Sequence, residues 1–219
     1  MSIYSPPPSC QIPVLAQIYE DTFGDIVLGR FVEVGGYDGE TYSNTSFLAD
    51  LGWRGVYVEP VFWKECAQRH ARNHVQVFPL ACGAESGELL LHVAGALTTG
   101  VTAALEAHLA NPGSRRYMDA GEQREERVEM KTLDSLLARA EMPPGFDLLV
   151  VDVEGAEADV FAGFNLERWW PRMMIVEMHA NNPEFVAFRE DNLALEQRIL
   201  AAGYRTIFED QINTIYRRY

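Results

Sequence analysis

Apolar runs too short for helices recur along the chain, several of them ended by glycine or an acidic residue, with stretches of helical spacing between them. Runs of this length without polar alternation mark strands covered on both faces. The pattern predicts a leading helix over 14–23 and strands at 31–34, 55–59 and 75–78. Between the strands come a helix through Leu51, which Ser43 or Asn44 can cap, and another over 61–72. Residues 88–93 alternate apolar and polar and predict an extra strand, one arm of an added hairpin. Thr132-Leu133-Asp134-Ser135 starts a short helix, and buried strands follow at 146–152 and 172–177, the first leading into a helix from Ala156. A helix near 184–202 precedes strands at 204–209 and 213–218, whose connection is too short for a crossover and makes them antiparallel. This alternation is that of an α/β protein: a mostly parallel seven-stranded sheet, an antiparallel final strand and helices on both faces.

Two segments stand outside the alternation. Residues 1–13 contain Pro6-Pro7-Pro8 and read as an extended arm, able to reach a neighbouring subunit of a homo-oligomer. Residues 95–127 have no clean period, contain Asn111-Pro112-Gly113-Ser114 and a charged run, and read as an insertion over the active site that carries substrate selectivity. At 219 residues and 47% hydrophobic content, 1–219 is expected to be a single domain. A formal charge of −14 argues against a nucleic-acid partner. The N-terminus has neither a basic nor an apolar targeting region, and no apolar run approaches the ~20 residues that cross a bilayer. A soluble, cytoplasmic protein is expected, with Cys10, Cys66 and Cys82 as reduced thiols, since their spacing fits neither metal nor disulfide frameworks.

Candidate chemistry gathers at the strand ends. Phe31-Val32-Glu33-Val34-Gly35-Gly36-Tyr37-Asp38-Gly39, answered by Val56-Tyr57-Val58-Glu59-Pro60, has the pattern of two adjacent parallel strands with a nucleoside between them. Glycine allows a tight turn and close backbone approach to a ligand, and Glu59 can take both hydroxyls of a ribose. Gly36, Asp38 and Pro60 share these turns and are expected beside the ligand. Charge then narrows the choice. A dinucleotide fingerprint begun at Gly35 needs glycine where Tyr37 and Glu40 stand, and Glu33 and Asp38 would repel a pyrophosphate. S-adenosylmethionine has no phosphate and carries an ammonium and a sulfonium, so an acidic turn attracts it. The rival readings are a non-catalytic nucleoside-binding scaffold and an NAD(P)-dependent oxidoreductase. Further strand ends are acidic: Asp152-Val153-Glu154-Gly155 closes one and Glu177-Met178-His179 another. Asp152, Glu154, Glu177 and His179 therefore point to the crevice of Gly35 and Glu59.

The glycine block, Ser43-Asn44-Thr45, Val58-Glu59-Pro60, Thr132-Leu133-Asp134 and Val151-Asp152-Val153-Glu154-Gly155-Ala156-Glu157 resemble the successive blocks of the FkbM family of methyltransferases. The likeness runs from about 31 to about 177, and its most specific element is the Asp-Val-Glu-Gly-Ala-Glu block. It implies the Rossmann-like class I methyltransferase sheet and S-adenosylmethionine-dependent methylation, usually of a hydroxyl on a sugar, polyketide or other small secondary metabolite. It also implies Glu33, Gly35 and Asn44 at the methionine end, Glu59 at the ribose, Ala81 and Cys82 at the adenine edge, and Asp152 by the transferring methyl. Family members more often have Asp at the first acidic position and Ala-Asn where Gly36-Tyr37 stand.

Methyl transfer to oxygen is an in-line displacement, so alignment supplies much of the acceleration. The hydroxyl proton remains to be removed, and a positioned base adds about 10²–10⁴-fold. His179 is the first candidate, because an imidazole titrates near neutral pH, with Asp152 second and Glu154 behind it. Alternatively Asp152, Glu177 and His179 could hold Mg²⁺ or another divalent ion, lowering the hydroxyl pKa. His70, His74, His92 and His108 have no comparable placement, and Trp169, Trp170, Phe185 and Phe188 read as packing residues.

Overall fold

Successive strand residues point to opposite faces, so a run such as Leu148-Leu149-Val150-Val151 supplies two cores at once. The computed structural model describes residues 2–24, 26, 28–118, 123–178, 185 and 188–219, apart from the side chains of 115 and 116. Its first half holds α1 (Leu15–Phe23), β1 (Arg30–Val34), α2 (Ser46–Asp50), β2 (Arg54–Val58), α3 (Trp63–Arg69), β3 (Val75–Phe78), β4 (Ala81–Cys82), β5 (Gly87–Val93) and α4 (Thr102–Ala110). A 3-10 turn, Ser114–Tyr117, leads to β6 (Arg124–Lys131), α5 (Leu133–Arg139), β7 (Leu148–Val151), α6 (Glu157–Ala162), α7 (Leu166–Trp169), β8 (Met173–Glu177), α8 (Arg189–Ala201), β9 (Tyr204–Glu209) and β10 (Asn213–Arg218).

Seven strands form the central sheet in the order β3-β2-β1-β7-β8-β10-β9. All run parallel except β10, which is antiparallel to both β8 and β9. Leu149 and Val151 join Val32 and Val34 in a core covered by α5, α6 and α8 through Leu133, Phe161 and Ile199. Leu148 and Val150 join Phe31 on the other face, under Tyr19 of α1 and Leu48 of α2. The order reverses between β1 and β7, so a crevice opens off their carboxyl ends, where Gly35 and Asp152 stand.

A smaller sheet, β4-β6-β5, flanks the crevice. The predicted extra strand is β5, and its antiparallel partner is β6. Residues 124–127 of the charged run, read above as part of the insertion, therefore belong to a strand. Few residues of β6 face inward, Val128 and Met130 among them, so its sequence is too polar to look like one. The insertion also contains α4, which was not predicted because Thr-Ala-Ala-Leu-Glu-Ala-His-Leu-Ala has no polar stripe to set a period. The arm does not extend away from the chain: Tyr4 and Ile12 are buried in the α1-side core, and the Tyr4 hydroxyl donates to the Gly24 carbonyl at 2.9 Å. Within the predicted helix near 184–202, the α-helix α8 begins at Arg189, and Glu184 lies outside the described residues. Among the described residues no helix is long and apolar enough to cross a membrane. Cys10, Cys66 and Cys82 are free thiols.

Candidate active site

The turn after β1 is built around a glycine that no other residue can replace. Gly35 has φ +88°, and a Cβ there would stand 1.6 Å from the carbonyl oxygen of Asp152. Its room is thus taken by the end of β7, not by a ligand, which corrects the reason given above for this glycine. The N–H groups of Gly35 and Gly36 both donate to the Val58 carbonyl, at 2.9 and 3.4 Å, and that of Tyr37 donates to Glu59 at 2.9 Å. A pyrophosphate cradle needs such donors free. Here they serve the neighbouring strand, which tells against a dinucleotide.

Buried glutamates hold the loops around this turn. Glu33 accepts from the Ser43 hydroxyl at 3.0 Å, the Asn44 N–H at 3.3 Å and the Thr45 hydroxyl. Glu59 accepts from the N–H groups of Tyr37, Val61 and Phe62 at 2.8–2.9 Å. Glu157, to which the sequence assigned no role, accepts from Val153 and Gly155 N–H at 3.0 and 3.2 Å and so fixes the Asp-Val-Glu-Gly turn. Two predicted cofactor contacts lie elsewhere. Asp38 is engaged by the N–H groups of Glu40 and Thr41 and the Thr41 hydroxyl, an Asx-type turn, and is not among the residues that line the crevice. Asn44 is buried behind the loop, where its carbonyl accepts from the Tyr19 hydroxyl at 2.8 Å.

A cavity of about 330 Å³ fills the crevice. Glu33, Gly35, Gly36, Glu59, Pro60, Ala81 and Cys82 all line it, as do Asp152, Glu154 and Glu177. The sheet order places 80–82, beyond β3, and Glu177, at the end of β8, on opposite sides of the glycine turn. Sequence reasoning missed Gln11 of the arm, and also Tyr37 and Tyr42, which line the cavity with φ of 44° and 61°. Left-handed non-glycine residues have no sequence signature, and they concentrate where a site constrains the backbone. It also missed His108. That residue of α4 is buried in the cavity wall, with Nε2 3.0 Å from Glu154 Oε2 and its ring edge-on to Phe185 at 5.2 Å.

Carboxylate oxygens of Asp152, Glu154 and Glu177 lie within 4.8 Å of one another. Burial raises Glu177 to about 8, with Glu157 adding to the rise, and Asp152 shares a hydrogen bond with it. Glu154 is raised by burial and then by Glu177, Asp152 and Glu157. Glu33 and Glu59 are raised to about 7, chiefly by burial. Three oxygens so close can share a divalent cation, or share protons if none is bound. His179, the predicted base and third metal ligand, lies outside the described residues.

These shifts predict a pH dependence of stability. An unfolded glutamate titrates near 4.3, whereas the folded groups keep their protons to about 7 or 8. The folded state therefore binds more protons over this window, so the stabilisation is complete below about pH 4.3 and is lost as the pH rises to about 8. The melting temperature of ligand-free Glu177→Gln should fall less steeply between pH 5 and pH 8 than that of the natural chain. Parallel slopes in calorimetry would refute the raised Glu177.

A sheet of this order, with its glycine turn and acidic crevice at the switch point, is that of a class I, Rossmann-like methyltransferase. The methyltransferase FkbM domain matches residues 33–206, and the chain belongs to that family. A Klebsiella pneumoniae structure described as a "putative O-methyltransferase" shares the fold at 12% identity and a TM-score of 0.50, covering 93% of this chain and 77% of its own. A TehB-like SAM-dependent methyltransferase from Corynebacterium glutamicum aligns at 9% identity and a TM-score of 0.40, covering 93% and 94% of the two chains. The human methyltransferase 10 domain containing protein gives 10% and 0.43, covering 94% and 80%. No curated protein sequence matches the chain.

The family and fold imply S-adenosylmethionine, and the cavity fits it. Five carboxylates line the wall and, among its described side chains, there is no Lys or Arg to receive a phosphate. Glu59 keeps acceptor capacity for a ribose hydroxyl, since about four lone-pair sites serve three N–H groups.

Proposed function

We propose that the chain methylates a hydroxyl of a small molecule, a sugar, polyketide or similar secondary metabolite, using S-adenosylmethionine. One observation carries this reading. Asp152 is tied to the cofactor turn, its N–H donating to the Val34 carbonyl at 3.0 Å, and it lines the cavity together with Glu154 and Glu177. Glu33, held from behind by the Asn44 N–H, shapes the methionine end, Glu59 faces the ribose, and Ala81 with Cys82 bounds the adenine. When bound, S-adenosylmethionine supplies an electrophilic methyl group on a sulfonium. Asp152 orients the acceptor hydroxyl and takes its proton, directly or through His179.

The cluster of Asp152, Glu154 and Glu177 also favours a second version, in which a divalent cation such as Mg²⁺ lies between carboxylates and lowers the hydroxyl pKa. Titration calorimetry with S-adenosylhomocysteine and with NAD tests the cofactor: binding of NAD alone would restore the oxidoreductase reading. Turnover on a panel of hydroxylated acceptors separates an enzyme from a scaffold. Exhaustive EDTA treatment then separates the two mechanisms. If a metal is used, chelation should abolish turnover and divalent ions restore it. If His179 is the base, chelation should do nothing, and His179→Ala should lower kcat by ~10²-fold or more with cofactor affinity intact.

A further inference from the structure

Glu154 is held in an uncommon way. It is a non-glycine residue with φ +56°, next to Gly155 at φ +99°, and both of its ends are gripped by the insertion. The Thr99 hydroxyl, fully buried, donates to the Glu154 carbonyl at 2.7 Å and accepts from the Val101 N–H at 2.9 Å, at the start of α4. Two turns along α4, His108 Nε2 stands 3.0 Å from Glu154 Oε2, a charge-pair approach without hydrogen-bond alignment, with the two side chains 4% and 12% exposed. Between these contacts Ala104 packs with Phe185 and Phe188 in an apolar cluster separate from both main cores. Gly155 lies beneath them, since a Cβ there would approach Phe188 and Ala104 to 3.1 and 3.2 Å. Helix α4 is thus docked on the cavity through the Asp152–Gly155 turn.

We propose that Thr99 and His108 form a two-point latch on Glu154, which makes the segment around α4 the acceptor lid and Glu154 a positioning residue and not the base. The proposal rests on the methyltransferase reading for its purpose, which is to admit the acceptor without disturbing the cofactor end. Release at Glu154 frees α4 from the Asp152–Gly155 turn, while the glycine turn stays fixed by Val58, Glu59 and the Asp152 backbone. His108 acts through its polar contact, so a glutamine, whose amide can reach the place of Nε2, should replace it.

Amide hydrogen exchange followed by mass spectrometry tests this. His108→Ala, and separately Thr99→Val, should speed exchange across α4 by at least about tenfold and leave β1 and β7 unchanged. His108→Gln should exchange like the natural chain. S-adenosylhomocysteine affinity should stay within about twofold in all three, because the latch lies outside the cofactor contacts. Unchanged exchange in His108→Ala and Thr99→Val would overturn the latch. So would β1 and β7 exchanging faster along with α4, or His108→Gln behaving like His108→Ala, which would show that the ring merely packs on Phe185. Failure of the natural chain to bind S-adenosylhomocysteine would instead overturn the methyltransferase reading and leave the exchange result standing.

Discussion

Gly35→Val should yield little folded protein, and Gly35→Ala should already lower the melting temperature by more than about 5 °C. The left-handed φ of +88° alone costs a residue with a Cβ roughly 1–3 kcal/mol. The larger cost is steric. A methyl carbon 1.6 Å from the Asp152 oxygen cannot be accommodated by rotating a side chain, because the obstacle is the backbone of the residue that directly follows the fully buried strand β7. Either β1 or β7 must shift at their junction, in a sheet where Phe31 to Val34 pair in register with Leu148 to Val151. Several kcal/mol lost from a typical total of about 5–15 leaves Val beyond rescue and Ala marginal. Each kcal/mol moves the melting temperature of a chain this size by about 2–4 °C. Circular dichroism with thermal and urea melts is the measurement. A Gly35→Ala chain that melts with the natural one yet fails to bind S-adenosylhomocysteine would show that the glycine makes room for the ligand instead.

The same contrast runs through the rest of the site. Periodicity located the inner strands β1, β2, β7 and β8 most directly, because each is a short apolar run and its burial on two faces leaves little ambiguity. The antiparallel end followed from a connection too short to cross over, and β10 indeed runs against β8 and β9. The acidic residues that end these strands were legible as a group for the same reason. Their individual duties were not. Glu33, Glu59 and Glu157 look alike in sequence, yet each is defined by the backbone and hydroxyl donors of a loop that returns to it, and such returns leave no period. Asp38 shows the converse: a carboxylate in a glycine turn is drawn to the N–H groups two and three residues on before any ligand competes. His108 was hidden for another reason. It sits on a helix without an amphipathic stripe, inside a segment whose polar strand β6 gave no boundary, so only the folded insertion brings it to Glu154.

Glu59→Ala should weaken S-adenosylhomocysteine binding by more than tenfold, and it should destabilise the ligand-free protein as well. Both effects come from one carboxylate. One oxygen accepts from Val61 and Phe62, the other from Tyr37, so a single acceptor site remains for the ribose, where the sequence alone suggested two. One hydrogen bond to a charged group contributes about 1.5–3 kcal/mol, enough for a factor of ten or more in affinity. Removing the side chain also strands three donors at a 6% exposed position and frees the turn carrying Tyr37, which has φ 44° and lines the cavity. Glu59→Gln keeps one oxygen for Val61 and Phe62 but sets an amide NH₂ against the Tyr37 N–H, so its losses should fall between those of the natural chain and alanine. Calorimetric titration reads the affinity and a thermal melt reads the fold. Undiminished affinity in Glu59→Ala would remove Glu59 from the ribose, and if the melting temperature still fell, the residue would be left as a loop anchor alone.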